Sequence, residues 1–72
     1  MKLQNSLKES RRHRGLTQEA LAALVGVTRQ TIIAIEKEKF VPSVKLALEL
    51  AAALDVPIGS LFRLEDEKGA RL

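Results

Sequence analysis

Residues 17–37 read TQEALAALVGVTRQTIIAIEK, and the glycine and threonines of this stretch restrict the local fold more than any other part of the chain. Thr17 can cap a helix whose first residues, Gln18 and Glu19, suit the positive end of the helix dipole. Gly26 ends that helix, because glycine takes the left-handed conformation needed just past a helix C-terminus without steric cost. Thr28 caps a second helix, expected over residues 29–37. Its β-branched residues make it weak in isolation, so it must be held by packing against the first. Two short helices joined by a sharp turn at Gly26 and Val27 are therefore expected.

The other 51 residues of the 72-residue chain have to supply what holds that pair. A chain this short makes one small domain, with room for a core of about a dozen large side chains. There is no cysteine and a single histidine, His13, which excludes disulfides, thiolate metal sites and a histidine metal cluster, so stability must come from packing. Apolar residues make up 46% of the chain but are interleaved with charge. No run approaches the ~20 residues needed to cross a bilayer. The opening MKLQNSLKE lacks the apolar core of a secretory signal, and the cytoplasm is the expected location. The net charge of +3 is unevenly spread: residues 1–39 hold eight Lys or Arg against four acids, and residues 40–72 hold four against five. The basic half contains the two-helix stretch, and a clustered positive field favours polyanionic partners, above all nucleic acid.

Leu3 and Leu7 lie one helical turn apart among polar residues, which predicts an amphipathic helix over residues 2–14, stopped by Gly15. Arg11 falls on the same stripe, where a charge needs a partner. Leu16 is placed to staple the start of the next helix. That helix presents Leu21, Leu24 and Val25 to the core, and Ala22 offers a small surface to the helix after it. Pro42 and the preceding residue mark a loop, and Ser43 restarts a helix. In this fourth helix Val44, Ala47, Leu48, Leu50, Ala51 and Leu54 are expected to form the back wall of the core. Pro57 suits the first turn of a short fifth helix that buries Ile58, Leu61 and Phe62. No stretch alternates for long enough to predict a strand. The fold expected is all-α, with residues 1–64 as the domain and residues 65–72 as a charged, mobile tail.

A step of 100° per residue along residues 29–37 puts Thr31, Ile32 and Ile35 on one side, with Arg29, Gln30, Ile33, Ala34 and Lys37 on the other. The first face must pack. The second mixes groups that read base edges in the DNA major groove: arginine with guanine, glutamine with adenine, and aliphatic carbon with the thymine methyl. A solvated helix face has the same composition, and the spacing of Gln18, Leu21, Ala22, Val25, Gly26, Val27, Ile32 and Ile35 decides between them. These positions fall where a helix-turn-helix motif requires them.

Read as a whole, the segment RGLTQEALAALVGVTRQTIIAIEKEKFVPSVKLALELAAALDVPIGSLF closely resembles the phage repressor and Cro type of helix-turn-helix regulator, often called XRE-like. The resemblance covers residues 3 to about 64 and implies a compact, stand-alone, five-helix DNA-binding domain. It implies that Arg29, Gln30, Ile33 and Ala34 read bases. Gln18, Thr28, Thr31, Lys37, Lys39 and Ser43 would contact or position the DNA backbone. Ala34 can add only an apolar contact, so specificity would lean on Arg29 and Gln30, with the exposed bulk of Ile33 suggesting either a thymine-methyl contact or simple tolerance of an apolar residue there. The resemblance also implies an ion pair between Arg11 and Glu36 that locks the first helix to the third. The main departure is at residues 37–40, where many relatives have an Asn-Gly turn and this chain has Lys-Glu-Lys-Phe, so Glu38 is expected to carry strain.

The resulting expectation is a sequence-specific transcriptional regulator, acting as a repressor on a palindromic operator and needing no cofactor. It would bind double-stranded DNA as a homodimer through a surface containing Ile58, Leu61, Phe62 and Leu64, with no membrane association. The alternative is an antitoxin-like or adaptor module whose main partner is a protein. An enzyme is disfavoured because His13 and the scattered carboxylates form no arrangement of nucleophile, base and orienting group.

Overall fold

The computed structural model describes residues 1–66, in the order β1 (Lys2–Asn5), α1 (Leu7–His13), α2 (Gln18–Val25), α3 (Arg29–Glu36), α4 (Val44–Leu54), α5 (Ile58–Leu61) and β2 (Phe62–Glu65). The helices start where a side chain can accept a free amide. Thr17 Oγ1 accepts from the Ala20 N–H, Thr28 Oγ1 from Thr31, and Ser43 Oγ from Leu46. They also stop in a common way. Helices α1 to α4 are each followed by a residue with left-handed backbone: Gly15 (φ 70°), Gly26 (φ 71°), Glu38 (φ 61°) and Asp55 (φ 55°). In each case the next N–H returns to the carbonyl five residues back, from Leu16, Val27, Lys39 and Val56 to Arg11, Ala22, Ala34 and Ala51 respectively. Two of these stops are glycines; the other two place a side chain where one is disfavoured, and the strain foreseen at Glu38 is present.

The helices enclose a single core of Leu7, Leu21, Ala22, Ile32, Ile35, Leu46, Leu50, Ala51, Leu54 and Leu61. Helix α2 packs on α3 and α4, α1 on α3, and α5 on α4. Three residues expected inside lie outside: Leu24 is 62% exposed, Val44 75% and Leu48 51%. For Val44 and Leu48 the reason is the composition of α4, which is apolar almost all round, so that its periodicity allows two stripes. The buried stripe is Leu46, Ala47, Leu50, Ala51 and Leu54, because that side meets α2 and α5. Ile58 is likewise exposed, whereas Leu61 and, in part, Phe62 are covered.

The N-terminal helix expected over residues 2–14 is shorter, and a strand stands in place of its first turn. β1 pairs antiparallel with β2, with Lys2 opposite Glu65, Leu3 opposite Leu64, Gln4 opposite Arg63 and Asn5 opposite Phe62. The fold is thus a helical body with a small two-stranded sheet that joins the two ends of the described chain. Neither strand contains a β-branched residue, so local preference does not explain them. Asn5 does. Its Oδ1 accepts from the Leu7 N–H at 3.1 Å and starts α1, while its Nδ2 donates to the Ile35 carbonyl at 2.9 Å. The Ser6 N–H donates to the Leu61 carbonyl, and Arg63 Nη1 to Ser6 Oγ. The segment 65–72 read as a tail contributes Glu65 to β2, and its part from residue 67 lies outside the described residues.

One buried charge network fixes α3. Arg11 is 8% exposed, and its Nε donates to Glu36 Oε2 at 2.7 Å. Its Nη1 donates to the Leu16 carbonyl at 2.8 Å, and Gln18 Nε2 donates to Glu36 Oε1 at 3.1 Å. Helices α1, α2 and α3 therefore meet at a single carboxylate. A buried ion pair adds little net stability over an apolar pair of the same shape, but removing one partner strands the other charge, at about 3 to 5 kcal/mol.

Arg11→Met and Glu36→Leu should each lose about that amount in urea unfolding, and the double substitution should lose less than the sum. A double mutant that folds where the single mutants do not would show the same coupling; additive losses would refute it. Glu38→Gly should raise stability by about 1 kcal/mol, since it removes a left-handed side chain. Glu38→Ala should not, because it keeps the strain. For a domain of this size, differential scanning calorimetry would register the glycine variant as a rise of about 4 to 8 °C in Tm.

Candidate nucleic-acid interface

Helix α3 has one face that is packed and one that is exposed. Ile32 and Ile35 are fully buried on the inward side, and Glu36 is held by Arg11 and Gln18. Arg29 and Gln30 begin the helix on the outward side, both exposed, and neither side chain makes a hydrogen bond or ion pair among the described residues. Their donors and acceptors are available to a ligand. Rigid support on one side with unpaired bidentate groups on the other is what base recognition requires, because the recognising groups then need little reorganisation.

The other residues singled out in the sequence fall around this pair. Ala34 is half-buried and shares the outward side. Thr31 was expected to turn inward with Ile32 and Ile35; it is instead half-buried and, with Gln30, Ala34, Lys39 and Phe40, lines a hollow of about 330 Å³. The geometric reason is that position 31 lies one turn from Ala34 and next to Gln30, at the edge between the two faces. Ile33 is half-buried, so only part of the bulk expected outside reaches solvent. Thr28 Oγ1 lies 3.2 Å from Thr31 Oγ1, and the two hydroxyls constrain each other at the helix start. Thr28 and Ser43 both act as caps, which puts the first amides of α3 and α4 beside them in defined positions. Gln18 is half-buried and bound to Glu36, which gives it a supporting part in the network.

Lys37 and Lys39 are exposed on either side of Glu38, whose negative charge would oppose them. Lys2 relieves this, because its Nζ lies 3.2 Å from Glu38 Oε1 and brings a cation from β1 to the turn. That contribution, the Asn5 bond to the end of α3, and the Phe40 ring in the hollow were not read from the sequence. Lys2 and Asn5 act across more than 25 residues and leave no local signal; Phe40 entered the sequence reading only as the last residue of the Lys-Glu-Lys-Phe turn, and its neighbours on α3 were not evident from it.

On the proposed dimer side, Ile58 and Leu64 are exposed and Phe62 is half-buried against the core. Leu61 is corrected: it is 0% exposed, since the single turn of α5 points it into the core, and it has no surface to offer a partner. Among the described residues no helix is long and apolar enough to cross a membrane.

The geometry agrees with what the chain is similar to. Residues 7–61 match the family Helix-turn-helix (HTH_3). An uncharacterized HTH-type transcriptional regulator of Methanocaldococcus jannaschii is 50% identical over 66 residues, covering 92% of this chain and all of the relative. The HTH-type transcriptional regulator YgzD of Bacillus subtilis is 46% identical over 65 residues, covering 90% of this chain and 98% of YgzD. Among solved structures, the restriction-modification controller protein C.AhdI from Aeromonas hydrophila superposes with a TM-score of 0.71 at 37% identity, over 75% of this chain and 78% of that one. With a capped helix pair, a left-handed glycine between them and a second helix packed on one side and exposed on the other, this chain belongs to the XRE-type helix-turn-helix family of DNA-binding transcriptional regulators.

Proposed function

We propose that the protein works as a homodimer that places α3 of each copy in the major groove of one half of a palindromic operator, and that it acts as a repressor by occupying that site. The observation that carries this reading is the pair Arg29 and Gln30, exposed and unpaired at the start of a helix whose opposite face is fully buried. Arginine can donate two hydrogen bonds to guanine and glutamine can pair with adenine, so the two residues specify a short step of sequence. Lys37, Lys39 and the amides at the start of α4 provide affinity and register through phosphates, without sequence information.

Two copies are needed because one domain of this size makes a small contact, whereas two linked half-sites multiply affinity. The exposed Ile58 and Leu64, with the uncovered part of Phe62, form the surface through which the copies would meet. Half-sites would then lie about one helical turn, roughly 34 Å, apart.

Titration against random duplex DNA should show affinity falling steeply between low and moderate salt, by about a thousandfold if six phosphates are contacted per dimer. An affinity that does not change with salt would sink the reading. Selection of bound duplexes from a random pool should yield a two-fold symmetric site. Arg29→Ala and Gln30→Ala should each weaken binding to it by about 1 to 3 kcal/mol and relax one base position per half-site. An unchanged preference in both variants would refute the assignment of α3's first residues as readers.

A further inference from the structure

The hollow beside the recognition face has a chemistry that its neighbours Arg29 and Gln30 do not share. It is lined by Thr31, Ala34 and Phe40 together with Gln30 and Lys39. The Thr31 hydroxyl is already engaged with Thr28 Oγ1 at 3.2 Å, which leaves the apolar part of that side chain to the hollow. Phe40 is 47% exposed, a large apolar surface kept in water beside a helix face otherwise suited to polar contacts. The turn that carries Phe40 takes a left-handed conformation at Glu38, whose carboxylate pairs with Lys2, and this turn brings the ring beside α3.

A phosphate is a poor occupant, because only Lys39 offers it a charge and the remaining surface would desolvate it without compensation. An apolar group carried on a base edge fits better. In the major groove that group is the C5-methyl of thymine, and Gln30 in the lining of the hollow suits the N6 and N7 atoms of an adenine nearby. Resting on the reading of α3 as the base-reading helix, we propose that this hollow receives a thymine methyl group, with Ala34 and Phe40 as its specificity-determining residues. Ala34 matters because it is small: the space it leaves is the space the methyl enters. The Ala34 and Phe40 pair therefore adds one thymine to the sequence specified by Arg29 and Gln30.

The test uses the full chain and the duplex selected from the random pool, synthesised with uracil in place of thymine at each position in turn. Uracil differs from thymine only by the missing methyl. One position per half-site should respond, with binding weakened about fourfold per half-site on loss of the methyl. Phe40→Ala should weaken binding to the thymine duplex more than to its uracil counterpart, so that the thymine-to-uracil ratio falls toward one; a merely structural role for Phe40 would lower both alike. Ala34→Leu, which puts a branched side chain where the methyl would enter, should also abolish the ratio. A selected duplex that binds equally well with uracil at every position, one with no thymine in its half-sites, or a ratio unchanged in both variants overturns the proposal while leaving α3 as the DNA-binding element. A pool that yields no preferred duplex overturns the underlying reading as well.

Discussion

The placement of α3 depends on the carboxylate of Glu36, which accepts from the Arg11 guanidinium and from the Gln18 amide in a nearly water-free space. Helix α3 is only eight residues long and rich in β-branched side chains, so its own hydrogen bonds would not keep it formed or aimed. The network gives it a direction. Apolar packing of Ile32 and Ile35 is strong but tolerant of small rotations, whereas a fork of hydrogen bonds from a planar guanidinium is not. Because Glu36 lies on the last turn of α3 and Arg29 on the first, fixing the end of the helix fixes the angle at which its start projects from the domain.

A second set of constraints acts just after α3. The chain reverses at Glu38 in a conformation that glycine would adopt more easily, and the following N–H closes back on Ala34. The small sheet gives this turn its support: Lys2 pairs with Glu38, and Asn5 donates to the carbonyl of Ile35. The N-terminal strand is thus connected to the end of α3 and to the turn after it. It neutralises an acid between two lysines and holds the end of α3, and β2 holds it in turn through the register from Lys2 and Glu65 to Asn5 and Phe62.

The helix pair, its caps and the Gly26 turn were legible because each is set by residues within a few positions of one another: Thr17 with Ala20, Thr28 with Thr31, and Gly26 with Val27 and Ala22. The ion pair was legible only through the resemblance to a family, since Arg11 and Glu36 are 25 residues apart. Where the reading failed, the local signal was ambiguous or absent. Leu3 and Leu7 have helical spacing, yet Leu3 belongs to a strand because β2 is there to pair with it. Val44 and Leu48 are as apolar as Leu46 and Leu50, and only the positions of α2 and α5 decide which stripe is buried. Leu61 was read both as a buried residue and as a dimer contact, and only the turn of α5 decides for the core, while Leu64 stays outside.

Sequence alone determined the caps of α2, α3 and α4, the glycine stops after α1 and α2, and the side of α3 on which Arg29 and Gln30 lie, because helix caps and side-chain periodicity act over one or two turns of chain. Tertiary structure decided the rest: that the chain's first residues form a strand, that Lys2 answers Glu38, and that Phe40 closes a hollow against Thr31 and Ala34. Each of these rests on groups brought together from distant positions or across a turn, and their energies exist only once the core has set the helices in place.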